Sequence, residues 1–525
     1  MVLRTIIMDQ GVMRGDGAAH ALKSAVLMES LLDGAWFEFL FDVYSRIYWP
    51  PFYSILTALA FTIFGLSDMV ARAVSFPFFV FFIFSLIYLS KTINKNNLGF
   101  VAALMAIFCP EIVALSTMPM IETTALFFFT IALAFSVKIE KIISQNNKVS
   151  TSFQFCFGLL ISLLYLTKSH YAIILILAQL VHVVTEGDRS ILKVVIRDLR
   201  VYSLTILGFL CAWFIYPPKA IMAFNAMVNV KHGVDSAFSA EALLFYPISL
   251  LGITGLEIVS LLVLVLSFWS LIKNKELKLL AITFFLQILI AEVHQTKVSR
   301  HIMQVYPCLF IAFDCFILKI NSDKARQGCL YLFVLALIVG LYTKRSDLLP
   351  RADFQYDKIV KLVPKSNEQT LLVSYVRSDH FSVSQLDCEL VKRGWIENYF
   401  DADTVTDKEK LDKQLNSVNN SKLIPDFLKS KLLSIKQRND IEGSFATLYA
   451  GYHYYRKHDD KFYDFDKRLS AKLKTKAFNR IMFLFVESDG IDLRSNLREH
   501  NFVINQSRSA TYNNVVYTVE EFRRG

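Results

Sequence analysis

The sequence predicts a polytopic α-helical membrane protein of about ten spans followed by a soluble C-terminal α/β domain. Three observations carry that expectation. Of 525 residues, 54% are hydrophobic and only 19% charged, with 45 Phe and 22 Tyr. A soluble chain of this length keeps a more polar surface, so a string of ordinary soluble domains is excluded. Apolar runs of membrane-spanning length recur from residue 68 to 343 and then stop. Between those runs the basic residues alternate, rich in one set of loops and poor in the next.

Residues 1–16 contain no apolar stretch able to cross a membrane or act as a signal peptide. A helical pattern follows from Leu22 to Leu32. Pro50 and Pro51 then stop one element and start an aromatic amphipathic helix over 52–66, too short to cross and suited to lie along an interface. Residues 1–67 therefore read as a loop with interfacial helices. The predicted spans are 68–90, 98–116, 120–137, 153–167, 170–185, 201–217, 246–272, 279–294, 301–318 and 328–343. From Lys344 onward charge rises, and β-rich runs at Leu371–Val376, Ile481–Val486 and Val515–Val519 alternate with polar helical stretches, the pattern of an α/β domain over 344–525.

Loops 91–97, 138–152, 186–200, 273–278 and 319–327 hold Lys and Arg in quantity. Loops 117–119, 168–169, 218–245 and 295–300 hold only Lys168, Lys219, Lys231, Lys297 and Arg300. The rich set is cytoplasmic by the positive-inside rule, so both chain ends are expected outside. Much of the net charge of +10 is thereby topological and calls for no nucleic acid. Cysteine offers neither a disulfide framework nor a CxxC metal site, because six of the seven lie in apolar stretches and Cys388 stands alone.

Chemistry is sought among the ionisable residues of the outer face. Asp16 sits in Arg14-Gly-Asp-Gly-Ala-Ala-His20, where an Asp beside Gly also serves as a turn or helix cap. Glu122 stands at the mouth of a span, where a carboxylate facing lipid is costly; its other role is to complement a helix N-terminus. Lys168 is a cation at a second helix junction, with interfacial snorkelling as the alternative. The segment Glu292-Val-His-Gln-Thr-Lys-Val-Ser-Arg-His301 gathers titratable groups between two spans, either as a solvated loop or as an anion site. His294 and His301 are possible additions, but seven residues apart and without a second ligand pair they give a metal no support. Carboxylates and cations from separate segments at one membrane face suit an enzyme that handles a lipid-linked phosphate.

In order along the chain stand Asp16, Pro50-Pro-Phe-Tyr53, Phe64-Gly-Leu-Ser-Asp-Met-Val-Ala-Arg72, Glu122, Leu166-Thr-Lys168 and Lys297-Val-Ser-Arg-His301 before Pro307. This series resembles the GT-C glycosyltransferases, in the branch with the lipid A aminoarabinose transferases, lipopolysaccharide core sugar transferases and protein O-mannosyltransferases. The resemblance covers roughly residues 10–320. It implies inverting transfer of a sugar from a polyprenyl-phosphate donor to a lipid, glycan or protein hydroxyl. It also implies Asp16 as catalytic base, Glu122 as a positioning carboxylate, and Lys168, Lys297 and Arg300 as ligands of the donor phosphate. Two departures matter. The family has Asp-Glu where this chain has Asp16-Gly17, and the family's first transmembrane helix is absent, which predicts an N-terminal truncation or late start with reduced activity.

A transporter or flippase for an anionic lipid or solute is the rival reading. Transporters place ionisable groups near the midplane and often show matching halves, whereas these candidates cluster at one face. A sensor or anchor without chemistry in the membrane is a third. No Walker A or GxGxxG loop offers a nucleotide site.

Overall fold

The computed structural model describes residues 15–45, 50–95, 98–145, 149–185, 239–293, 298–344, 360–363, 370–375, 445–449, 480–486, 502–512 and 515–524. The chain divides into two compact units. One holds Met1–Asp9, Val43–Ala60 and Met69–Pro350; the other holds Gln10–Asp42, Phe61–Asp68 and Arg351–Gly525.

The described helices are α1 (Gly15–Leu32), α2 (Trp36–Ser45), α3 (Phe52–Phe64), α4 (Asp68–Ala73), α5 (Ser75–Ile93), α6 (Phe100–Phe108), α7 (Pro110–Ser116) and α8 (Ile121–Ser144). They continue with α9 (Thr151–Thr167), α10 (Ser169–Thr185), α11 (Ala240–Leu250), α12 (Glu257–Lys273), α13 (Lys278–Val293), α14 (Val305–Leu318) and α15 (Asp323–Thr343). Among the described residues, Asp68–Ile93 and Asp323–Thr343 are long and apolar enough to cross a bilayer, and two bent pairs reach that length together. The shorter apolar helices α3, α9, α10 and α14 complete the apolar set.

The first unit is a helix bundle built around α8. From Ile121 to Val137 that helix is buried on nearly every side. Phe82, Leu86 and Leu89 of α5, with Leu126, Phe129 and Leu133 of α8, belong to one continuous core. In contrast, α15 buries only Phe333, Leu337 and Gly340. One of its contacts is backbone on backbone: a Cβ added to Gly340 would lie 2.0 Å from the Thr254 carbonyl oxygen, and one added to Gly255 would lie 2.4 Å from the Gly340 oxygen. Small residues admit such an approach where lipid gives helices no hydrophobic reason to associate.

Two predicted spans are corrected. The run 98–116 is not one helix but α6 and α7, broken at Cys109, whose ψ of 114° is extended. Pro110 forces this: it lacks an N–H and keeps the residue before it out of the α region. Next, α7 meets α8 at a bend of 115°. The run 246–272 is likewise interrupted, ending α11 at Leu250 and starting α12 at Glu257. There Gly255 takes a φ of +78° in a turn that apolarity alone does not reveal. The predicted span 201–217 lies outside the described residues.

The first amides of α6 have no intrahelical acceptor, and Val101 is buried, so its N–H needs a partner. Asp314 of α14 supplies one, accepting from the Ser90 hydroxyl at 2.7 Å and from the Val101 amide at 3.3 Å. A carboxylate at a helix N-terminus satisfies an orphan N–H and complements the helix dipole. Sequence reasoning did not single out Asp314.

The bundle has two chemically distinct ends. At one, the Lys141 ammonium donates to the Ile93 carbonyl at 2.5 Å and lies 3.9 Å from Glu276, while Lys278 donates to the Thr185 carbonyl at 3.5 Å. The ends of α5, α8, α10 and α12 thus meet at one end of the bundle. The opposite end holds the starts of α5 and α8.

In the second unit, five strands form one mixed sheet in the order β2-β1-β3-β5-β4: β1 (Thr370–Tyr375), β2 (Phe445–Tyr449), β3 (Arg480–Val486), β4 (Phe502–Tyr512) and β5 (Val515–Arg524). β1 runs parallel to β2 and β3, and β5 is antiparallel to β3 and β4. Parallel pairing fits the α/β expectation, because it requires long crossover connections. At the centre of the sheet Arg480 donates to Glu521 at 2.8 Å, and Arg523 and Asn505 donate to the same carboxylate at 3.0 and 3.1 Å.

Candidate functional site

Glu122 occupies the first turn of α8, after Met120 in extended conformation. An acidic residue favours that place because the helix N-terminus carries partial positive charge. The approach to α8 is fixed from the side: the Ser75 hydroxyl donates to the Met118 carbonyl at 2.8 Å and lies 2.9 Å from the Tyr53 hydroxyl. Two helix starts, α3 and α5, thereby set where the Glu122 carboxylate emerges.

Lys168 is the one residue between α9 and α10. Its backbone is extended, φ −153° and ψ 91°, while its amide still closes α9 onto the Leu164 carbonyl at 2.7 Å. The break turns the side chain into the bundle. Lys168 Nζ lies 3.2 Å from Glu122 Oε1, with 7% and 3% of the two side chains exposed. This contact excludes snorkelling as its role, since a snorkelling lysine keeps its ammonium in water.

Arg300 is carried by a 3-10 turn, Ser299–Ile302, immediately before α14. Its Nε lies 4.0 Å from Glu122 Oε1, and its side chain is 28% exposed. The Arg300 carbonyl accepts from Lys168 Nζ and from the Tyr171 hydroxyl, both at 3.4 Å. Next to it the His301 carbonyl accepts from Gln287 Nε2 at 2.7 Å, and the His301 ring stands edge-on to His170 at 6.4 Å. Three segments far apart in sequence, at residues 122, 168 and 300, therefore meet at one end of the bundle.

The structure thus brings together Glu122, Lys168, Arg300 and His301 from the predicted set. Asp16 falls in the first turn of α1, in the other unit, and its side chain lies outside the described residues. His294 and Lys297 lie outside the described residues as well. Sequence reasoning missed Tyr171, whose ring centroid lies 4.7 Å from the Lys168 ammonium, and Glu111, whose carboxylate accepts from the Tyr306 hydroxyl. A usable signal existed for Glu111: it follows Pro110, and that pair marks a helix start inside an apolar run.

Chemically, one buried carboxylate, Glu122, faces two cations. Lys168 is committed to Glu122, so a second anion arriving here meets Arg300 first, the more exposed of the two cations and the more distant from Glu122. A guanidinium offers a planar fork matched to phosphate. Among the described residues no three His, Cys, Asp or Glu side chains gather as metal ligands.

No family profile and no curated protein sequence matches the chain. Solved structures do match. Crystal structures of ArnT from Cupriavidus metallidurans, one in the apo state and one bound to undecaprenyl phosphate, each align with 99% of this chain at a TM-score of 0.62 and 11% identity. The alignment covers 95% of the first ArnT chain and 96% of the second. Over nearly its whole length, this chain shares the fold of those ArnT structures.

Proposed function

We propose that this protein is an inverting glycosyltransferase that moves a sugar from a polyprenyl-phosphate carrier to a hydroxyl acceptor at the outer face of a cytoplasmic membrane. The observation that carries the reading is the convergence of Glu122, Lys168 and Arg300 at one end of a bundle with the ArnT fold. The ArnT structure bound to undecaprenyl phosphate supports a lipid-linked phosphate as the ligand class. In the proposed reaction the acceptor O–H gives its proton to the Asp16 carboxylate while its oxygen attacks the anomeric carbon. The bond from that carbon to the phosphate oxygen breaks, and its electron pair leaves on the polyprenyl phosphate. Arg300, with Lys297, neutralises the charge that develops there, and Lys168 reinforces it while holding Glu122 in place. The sheet domain after residue 344 is assigned to the same outer face, where it bears on acceptor choice.

Turnover of a radiolabelled polyprenyl-phosphate sugar by the full-length protein tests this. Transfer to a hydroxyl acceptor, lost in Asp16→Asn and reduced at least a hundredfold in Arg300→Ala, is the expected result, in the range that general-base and charge-stabilising groups supply. Donor that crosses the bilayer with its sugar–phosphate bond intact, or full activity in Asp16→Asn, overturns it.

A further inference from the structure

We infer that the lysine-rich end of the bundle, opposite the Glu122 site, holds a bilayer glycerophospholipid with an anionic headgroup. A groove of about 530 Å³ opens there between α10, α12 and α13. Its floor is one stripe of α13: Ala281, Ile282, Phe285, Leu286 and Leu289. The stripe continues from Lys278 at helical spacing, so charge and apolar wall share a single face. Ile272 of α12 and Val181 of α10 form the sides. Ile272 is 68% exposed and Leu289 is 61% exposed, so this is a surface groove and not part of the core.

Its dimensions match one leaflet. From Lys278 to Leu289 the helix rises about 16 Å at its usual pitch. A leaflet supplies half of the ~30 Å hydrocarbon core. An acyl chain lying along α13 therefore ends near Leu289 when its headgroup reaches the mouth of the groove.

The mouth is built for a phosphate. Asn274, Lys275 and Lys278 line it, and Lys273 stands one residue away with its ammonium 5.4 Å from the Trp269 ring, an aromatic and basic pairing typical of a membrane interface. The acid of this turn, Glu276, lies 3.9 Å from Lys141, so it does not cancel the three lysines. Lys278 donates to the Thr185 carbonyl at 3.5 Å, which places its positive charge at the mouth of the groove. Basic pockets between helices on the cytoplasmic side are suited to anionic headgroups. A second copy of the chain fits less well, because a two-fold contact within the membrane would set these lysines against their own counterparts.

Native mass spectrometry of the full-length protein in detergent, titrated with phosphatidylglycerol and with phosphatidylethanolamine of the same acyl chains, tests the site. Phosphatidylglycerol should be retained in preference. The double variant Lys275→Gln/Lys278→Gln should weaken its retention about thirtyfold, the factor set by removing two cations near an anionic headgroup. Ile272→Trp, which narrows the groove at an exposed position and leaves the charges in place, should also displace the lipid and decides the matter if the lysine variant does not fold. Equal retention of the two lipids, a protein dimer in place of a lipid adduct, or retention unchanged in both variants overturns the inference.

Discussion

The Lys168 ammonium lies 3.2 Å from the Glu122 carboxylate with both side chains almost wholly withdrawn from solvent. Removing one member of such a pair strands the other charge. Glu122→Gln and Lys168→Met should each destabilise the protein by about 3 kcal/mol or more. The double variant should lose much less than the sum, since neither fully buried charge of the pair is left facing an empty partner and Arg300, 28% exposed, keeps contact with water. Thermal unfolding in detergent, arranged as a double-mutant cycle, measures this. Additive losses would show that the two groups are not coupled.

Asp314 should behave as a structural carboxylate. Asp314→Ala leaves the Ser90 hydroxyl and the Val101 amide without their acceptor, at an expected cost of about 2–4 kcal/mol. Asp314→Asn keeps one oxygen able to accept from Val101 and should cost about half as much. Unfolding midpoints rank the two variants, and Asn worse than Ala would contradict the capping role.

The last helix provides an internally controlled comparison. Gly340→Ala places a methyl 2.0 Å from the Thr254 oxygen, backbone that cannot swing aside, and should detach or displace α15. Gly328→Ala in the same helix meets nothing within 4 Å and should be neutral or stabilising by up to about 1 kcal/mol through helix propensity. Expression yield and midpoint should separate the two substitutions clearly.

Glu521 should give the sheet an acid-sensitive stability. Burial pushes its carboxyl up, but hydrogen bonds from Arg480, Arg523 and Asn505, with the charge of Arg480, hold it down at about 2 against an ordinary value of 4.5. Unfolded, the group binds its proton at the higher pH. Its contribution is therefore complete above pH 4.5 and disappears as pH falls towards 2, at most about 3 kcal/mol in all. Hydrogen exchange of β3 and β5, corrected for intrinsic rates, should show protection falling through that window. Glu521→Gln should remove most of the dependence.

Length and apolarity made most of the bundle legible beforehand. Runs such as Ile121–Ser144 and Asp323–Thr343 need no information beyond their own composition. Turns inside apolar runs were harder to see: Pro110 and Gly255 interrupt helices through backbone geometry, which hydropathy does not register. In the site, Glu122, Lys168 and Arg300 stood out as charges where charge is expensive, and the fold brings them together. Tyr171 and Asp314 did not. One is an aromatic in an aromatic-rich chain, and the other acts only through Ser90 and Val101, partners that topology alone makes neighbours.

The remoteness of those partners has a consequence for biosynthesis. Asp314 lies 224 residues beyond Ser90 and 213 beyond Val101. At ordinary rates of translation, on the order of ten to forty seconds pass between the emergence of Val101 and that of its acceptor. Through that interval the Val101 amide waits without its acceptor. The early helices can insert as they are made, but they reach their final arrangement only when α14 arrives. A nascent chain stalled before Asp314 should thus be a substrate for membrane quality control, even with most of its spans already in place.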